Sequence, residues 1–363
     1  MVILRYITDA KEGIALNEMN GFEAERLEDL MKEEKSMRRT FSRCGWAVFI
    51  ATLSGYLLSM GLSRILKVVE SEWLNTFLYN INNYLYVNEV LIAISFLLGA
   101  LALVGMPKKV PERKPVKVKS FMVLFCVCAT IGAVGNVIGN IILTVWNLIT
   151  GGSASNPLDD VVMNVSPLSM LICMAILAPI LEEFFFRKLL IDRMYRYGEL
   201  TAILVSAVAF GLFHQNFSQF FYAFGIGVVL GYLYCKTGSY RAVTLLHMVF
   251  NLFMGVIPAM LSRGVLGFSK EISALTEPSL DLMLPLVIEY ALPLALYLLY
   301  MLLSGALNIT GVVLICINAK KIRVGKSESA LSVGERICAI VINVGVILAS
   351  SLLAFLMFLS LLI

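Results

Sequence analysis

The feature that most constrains this chain is its run of uncharged sequence, repeated again and again at about membrane length. Val161 to Leu181 is one example, 21 residues without a charge. About 20 mostly apolar residues are what a helix needs to cross a bilayer. Apolar stretches of this kind fall at 45–66, 88–106, 120–146, 167–191, 201–214, 219–235, 243–261, 293–317 and 337–362. Inside lipid every backbone N–H and C=O must be satisfied within the protein, so the expected fold is all-α, a polytopic bundle of about eight to nine transmembrane helices. Composition agrees: 59% of the 363 residues are hydrophobic and 15% charged, where soluble domains average about 25% charged.

The stretch 201–214 is short and must borrow from its flanks. The piece 282–292, with Pro285 and Glu289, reads as a re-entrant or interfacial segment. Residues 21–39 read as an amphipathic helix within a polar leader, and nothing near the start has the short apolar core of a secretory signal. The chain divides into a polar N-terminal segment 1–44, three spans in 45–150, a four-span unit in 151–265 and a C-terminal membrane region of about two spans in 266–363. With the N-terminus in the cytoplasm, 25 of the 29 lysines and arginines fall on the inner side, as the positive-inside rule requires. Basic stretches interleaved with aromatics are absent, which excludes nucleic acid as an expected partner. The seven cysteines show no CxxC or framework spacing and read as buried apolar residues.

Against this background an acid pair stands out. Glu182 and Glu183 close the uncharged run, and charge at that depth marks a functional site by default. The two histidines of the chain, His214 and His247, both lie downstream in membrane-grade sequence. Glu182 lies 16 residues before Gly198 and His214 lies 16 after it, so a helical hairpin turning there brings them to one depth. His247 sits six residues past Arg241, at a similar depth. Glu183 and Arg187 are spaced i, i+4, a favourable pair within one helix, which leaves Glu182 turned about 100° away for another partner. His247 and Asn251 share a face, and Phe210 packs over the His214 ring. Gly135-x-x-x-Gly139 and Gly227-x-x-x-Gly231 are marks of close helix packing. Asn136 and Asn140 either bond between helices or wet a cavity.

Such a set suits amide hydrolysis. A carboxylate in an apolar wall can act as general base on water, His214 can share that water or protonate the leaving amine, and His247 with Asn251 can donate to the oxyanion. No serine or cysteine is paired with a histidine, so acyl-enzyme chemistry is disfavoured. No cofactor is expected. The alternative is zinc held by Glu182, His214 and His247, although HExxH is absent and Asn251 would then have no task. A third reading is a membrane scaffold or regulator without catalysis.

Glu182-Glu183-x-x-x-Arg187, Phe210-x-x-x-His214 and His247-x-x-x-Asn251 together resemble the three motifs of the CPBP intramembrane proteases, the type II CAAX prenyl endopeptidases and their bacterial relatives. The resemblance covers about residues 165–255. It implies a glutamate-dependent intramembrane endopeptidase in which Glu182 and His214 activate water, His247 and Asn251 stabilise the oxyanion, and Glu183 and Arg187 support them. It further implies a substrate that is a membrane-associated protein or peptide, prenylated or of the bacteriocin-leader kind, met among membrane lipids. The expected setting is a bacterial plasma membrane, with the active site toward the cytoplasmic side.

Overall fold

The computed structural model describes residues 21–69, 71–156, 163–275, 279–325 and 329–362. The first 20 residues of the polar leader lie outside these. Among the described residues the secondary structure is helical throughout: α1 Gly21–Val68, α2 Glu72–Tyr79, α3 Ile81–Leu101, α4 Val118–Thr150, α5 Pro167–Tyr197, α6 Glu199–Phe213, α7 Phe217–Thr237, α8 Tyr240–Ser273, α9 Leu280–Asn318, α10 Val333–Val341 and α11 Val344–Leu359. Seven of these helices are long and apolar enough to cross a membrane, and an eighth span results if α10 and α11, bent by 66°, count as one. The ninth apolar stretch is α6, only 15 residues and so about 22 Å long. The protein is an all-α integral membrane protein.

Three details differ from the sequence expectation. The amphipathic stretch 21–39 does not stand apart but runs without a break into the first span as α1. The piece 282–292 is no re-entrant segment: α9 passes through Pro285 and Pro293 as one helix of 39 residues, about 58 Å, so it extends well beyond a hydrocarbon core of about 30 Å. Asn136 and Asn140 bond to each other along one exposed face of α4 rather than to another helix.

The buried core runs from α1 through α5, α6 and α7 to α8. Close approach is possible because glycine lines the seams. A Cβ on Gly135 or Gly139 would strike the α7 backbone at Tyr222 or Phe217 and Ser218, and one on Gly227 would press on Phe210 and Ala207 of α6. Gly198, at φ +117°, makes the turn from α5 to α6, a conformation that L side chains rarely adopt. The α3–α4 connection straps the ends of the bundle: Lys109 N–H donates to Asp192 O, Lys114 N–H donates to Thr237 O, and Arg193 donates to Leu103 O. Asp192 in turn accepts from Tyr234 and Lys188. These bonds fix the end of α5 that follows the acid pair.

Candidate active site

α5 is not a uniform α-helix. Over Leu171–Leu177 and again over Phe184–Ile191 it widens to π turns, and α8 does the same at Leu252–Val256. Wide turns often mark functional positions. Here one has a traceable cause. Ala178 N–H bonds to Cys173 O, five residues back, so the next bond in that register would join Met174 O to Pro179. Proline has no N–H to give. Asn251 of α8 supplies the missing donor, its Nδ2 lying 2.8 Å from Met174 O. Two more α5 carbonyls accept side chains from neighbouring helices, Ile180 O from Tyr240 and Phe186 O from Ser206. α6 and α8 are thereby fixed in register on α5.

The acid pair then meets α8. His247 is 4% exposed and stands between both carboxylates: its Nδ1 is 3.0 Å from Glu183 Oε1, and its Nε2 is 3.7 Å from Glu182 Oε2. Glu183 also makes a fully buried ion contact with Arg187, Nε to Oε2 at 3.0 Å. That contact lies outside hydrogen-bond geometry, and the guanidinium nitrogens find no hydrogen-bond partner among the described residues. The Arg187 cation rests instead on the Phe210 ring, 4.7 Å from its centroid, a favourable contact when desolvated. Phe210 is the hub. Its ring meets His214 edge-on at 5.0 Å and His247 at 5.7 Å.

His214 closes α6. Its Nδ1 lies 2.9 Å from Phe210 O, and a carbonyl only accepts, so Nδ1 carries the proton and Nε2 is left with a lone pair. The chain breaks directly after it: Gln215 takes φ +57°, and Asn216 caps α7 while donating to His214 O. Left-handed backbone at a non-glycine residue is a small strain held by its surroundings. Tyr222 of α7 stands 6.4 Å from the His214 ring.

The structure thus gathers Glu182, Glu183, Arg187, Phe210, His214 and His247 into one cluster, with Asn251 one helical turn along α8. Spacing alone missed three things: the Glu183–His247 bond, the engagement of Asn251 by Met174 O, and Glu89 of α3, a buried acid inside an apolar run. The signals were present, in Pro179 and in a lone charge at membrane depth. No three His, Cys, Asp or Glu side chains among the described residues converge as a metal ion would require, Glu182, His214 and His247 included.

Residues 164–253 match the family described as type II CAAX prenyl endopeptidase Rce1-like. A curated protein of Bacillus subtilis (strain 168), "Putative membrane peptidase YdiL", is 29% identical over 89 residues, which are 24% of this chain and 36% of that protein. The chain therefore spans about a third of the length of this relative. No solved structure matches. The matched segment contains the acid pair, both histidines and Asn251, so it is the part of the chain bearing these residues that is similar to the Rce1-like endopeptidases and to this membrane peptidase.

Proposed function

We propose that the protein is an intramembrane endopeptidase that cleaves a membrane-associated or lipidated protein or peptide with water activated by Glu182. One observation carries the reading: both carboxylates of the acid pair converge on a single buried imidazole, His247. Glu182 is the freer acid, 16% exposed against 0% for Glu183, and so is the one that water can reach. It takes a proton as the water oxygen bonds to the scissile carbonyl carbon. His214, through its Nε2 lone pair, orients that water. In its doubly protonated form His247 donates Nδ1–H to Glu183 and turns Nε2–H into the site. There it joins the second N–H of the Asn251 amide, the first being held by Met174 O, in stabilising the oxyanion. The proton on Glu182 passes to the leaving nitrogen as the C–N bond breaks. Glu183 and Arg187 hold His247 in place.

The similarity to a Bacillus subtilis protein named as a membrane peptidase supports a bacterial plasma membrane as the setting. The distribution of lysine and arginine supports a cytoplasmic N-terminus and a site nearer the inner face.

The test compares peptide termini in membranes carrying the wild type and Glu182→Gln. Termini made only by the wild type support the reading and identify the substrate. Identical termini overturn it in favour of a scaffold. Zinc chemistry with the same residues would instead give one zinc per chain, with activity lost to chelator and restored by zinc.

A further inference from the structure

Glu89 is the one acidic side chain of α3, and no lysine, arginine or histidine accompanies it there. It is 7% exposed, and its Oε2 is sealed without a hydrogen-bond partner among the described residues. A buried acceptor left unmatched is costly, and an unmatched carboxylate in a membrane more so. Such a group calls for a donor that comes from elsewhere.

Its position says where that donor comes from. α3 and α5 run parallel, in contact at Asn82–Ser166, offset by 84 residues, and at Phe96–Phe185, offset by 89. The same offsets set Glu89 level with α5 residues 173–178. Met174, which holds Asn251, is in that layer, and Glu182 is about one to two and a half turns further along. The layer next to the acid pair therefore holds both a buried acceptor without a hydrogen-bond partner among the described residues and the Asn251–Met174 contact.

We propose that Glu89 is a specificity-determining residue of the peptidase site, receiving a lysine or arginine side chain of the substrate at a fixed distance from the cleaved bond. A cationic donor matches the oxygen and also neutralises the carboxylate, which a neutral amide would not do. This inference rests on the peptidase reading above.

The experiment extends the comparison of termini to Glu89→Gln and Glu89→Asp. Wild-type termini absent from Glu182→Gln should share a lysine or arginine at one position relative to the cut. Glu89→Gln, equal in shape, should cleave these roughly tenfold or more slowly, the scale of one charged hydrogen bond. Glu89→Asp, which keeps the charge but retracts it, should retain part of the preference. Wild-type cleavage with unchanged residue preference in either variant that accumulates overturns the role of Glu89 alone. Identical termini from wild type and Glu182→Gln overturn both readings. A second measurement is independent of turnover: Glu89→Cys, in a chain whose seven native cysteines are replaced by serine, should react with a water-soluble cationic methanethiosulfonate, and an inert thiol overturns the contact.

Discussion

His247 Nδ1 lies 3.0 Å from Glu183 Oε1, so the second carboxylate of the acid pair, not the first, takes the imidazole's hydrogen bond. Glu183 thus serves two partners at once, with Arg187 on its other oxygen. The division of labour follows from burial. Glu183 is sealed and multiply paired, whereas Glu182 keeps one edge open and only a longer 3.7 Å approach to His247. Two adjacent, chemically identical residues acquire different tasks because successive helix positions point about 100° apart.

Glu183→Ala is expected to damage folding and activity together. It leaves the Arg187 charge buried and unpaired, a loss of about 3–5 kcal/mol for pairs of this kind. The double change Glu183→Leu with Arg187→Leu removes both charges, and should recover most of that stability in detergent unfolding. Activity should not recover, because His247 still lacks its acceptor. Recovery of both would mean that the pair acts only as packing.

Gly135→Leu is expected to separate α4 from α7. A Cβ there already meets the Tyr222 backbone, which cannot swing aside as a side chain would. Overpacking of this kind costs about 1–3 kcal/mol and should appear as reduced accumulation in the membrane. At Gly61 of α1 an added Cβ would meet nothing within 4 Å. Gly61→Ala should be neutral or gain about 0.5–1 kcal/mol from helix propensity, which serves as the control.

What could be read from the sequence follows the physics of each signal. Spans were legible because lipid admits few solutions for twenty uncharged residues: α4, α5, α7 and α8 all cover their expected stretches, while α3 starts earlier than the expected 88–106 and ends at Leu101. Breaks were harder. Pro285 suggested an interruption, yet α9 continues through it and through Pro293, while α10 and α11 part at Ile342–Asn343, where no proline stands. At the site, i, i+4 spacing gave the Glu183–Arg187 contact correctly because one helix defines it. The bond from Glu183 to His247 depends on how α8 is rotated against α5, which no spacing encodes. Met174 O was invisible for another reason: a backbone acceptor has no letter in the sequence, and only Pro179 hinted at it.

Acid should loosen the end of the bundle near Glu199. Burial alone would raise its carboxyl, but hydrogen bonds from Gly325 N–H, Lys236 and Tyr195, with the Lys236 charge, outweigh that and hold it below the usual 4.5. A carboxyl lowered in the folded state contributes stability that is present above its unfolded pKa and is lost as pH falls through the folded value. The window is therefore below about pH 4.5. Limited proteolysis at Arg323, beside Gly325, should accelerate there in the wild type, and Glu199→Gln should show the faster cleavage already at neutral pH, with little further change on acidification.

Pro179 and Asn251 should behave as a coupled pair although they do not share a helix. Pro179→Ala restores an N–H in α5 that can reach Met174 O, the acceptor which Asn251 now occupies. It should raise the thermal midpoint, since proline inside a helix costs about 3 kcal/mol. Asn251→Ala alone should lose about 1 kcal/mol for the broken bond, and turnover should fall by on the order of 10²–10³ if its second N–H meets the oxyanion. In the Pro179→Ala background the stability cost of Asn251→Ala should shrink toward zero while the loss of turnover persists. A double-mutant cycle in detergent reads the first quantity and termini appearing per unit time read the second. Strict additivity of the two stability changes would mean that Met174 O does not depend on Asn251, and the register argument for α8 on α5 would fail.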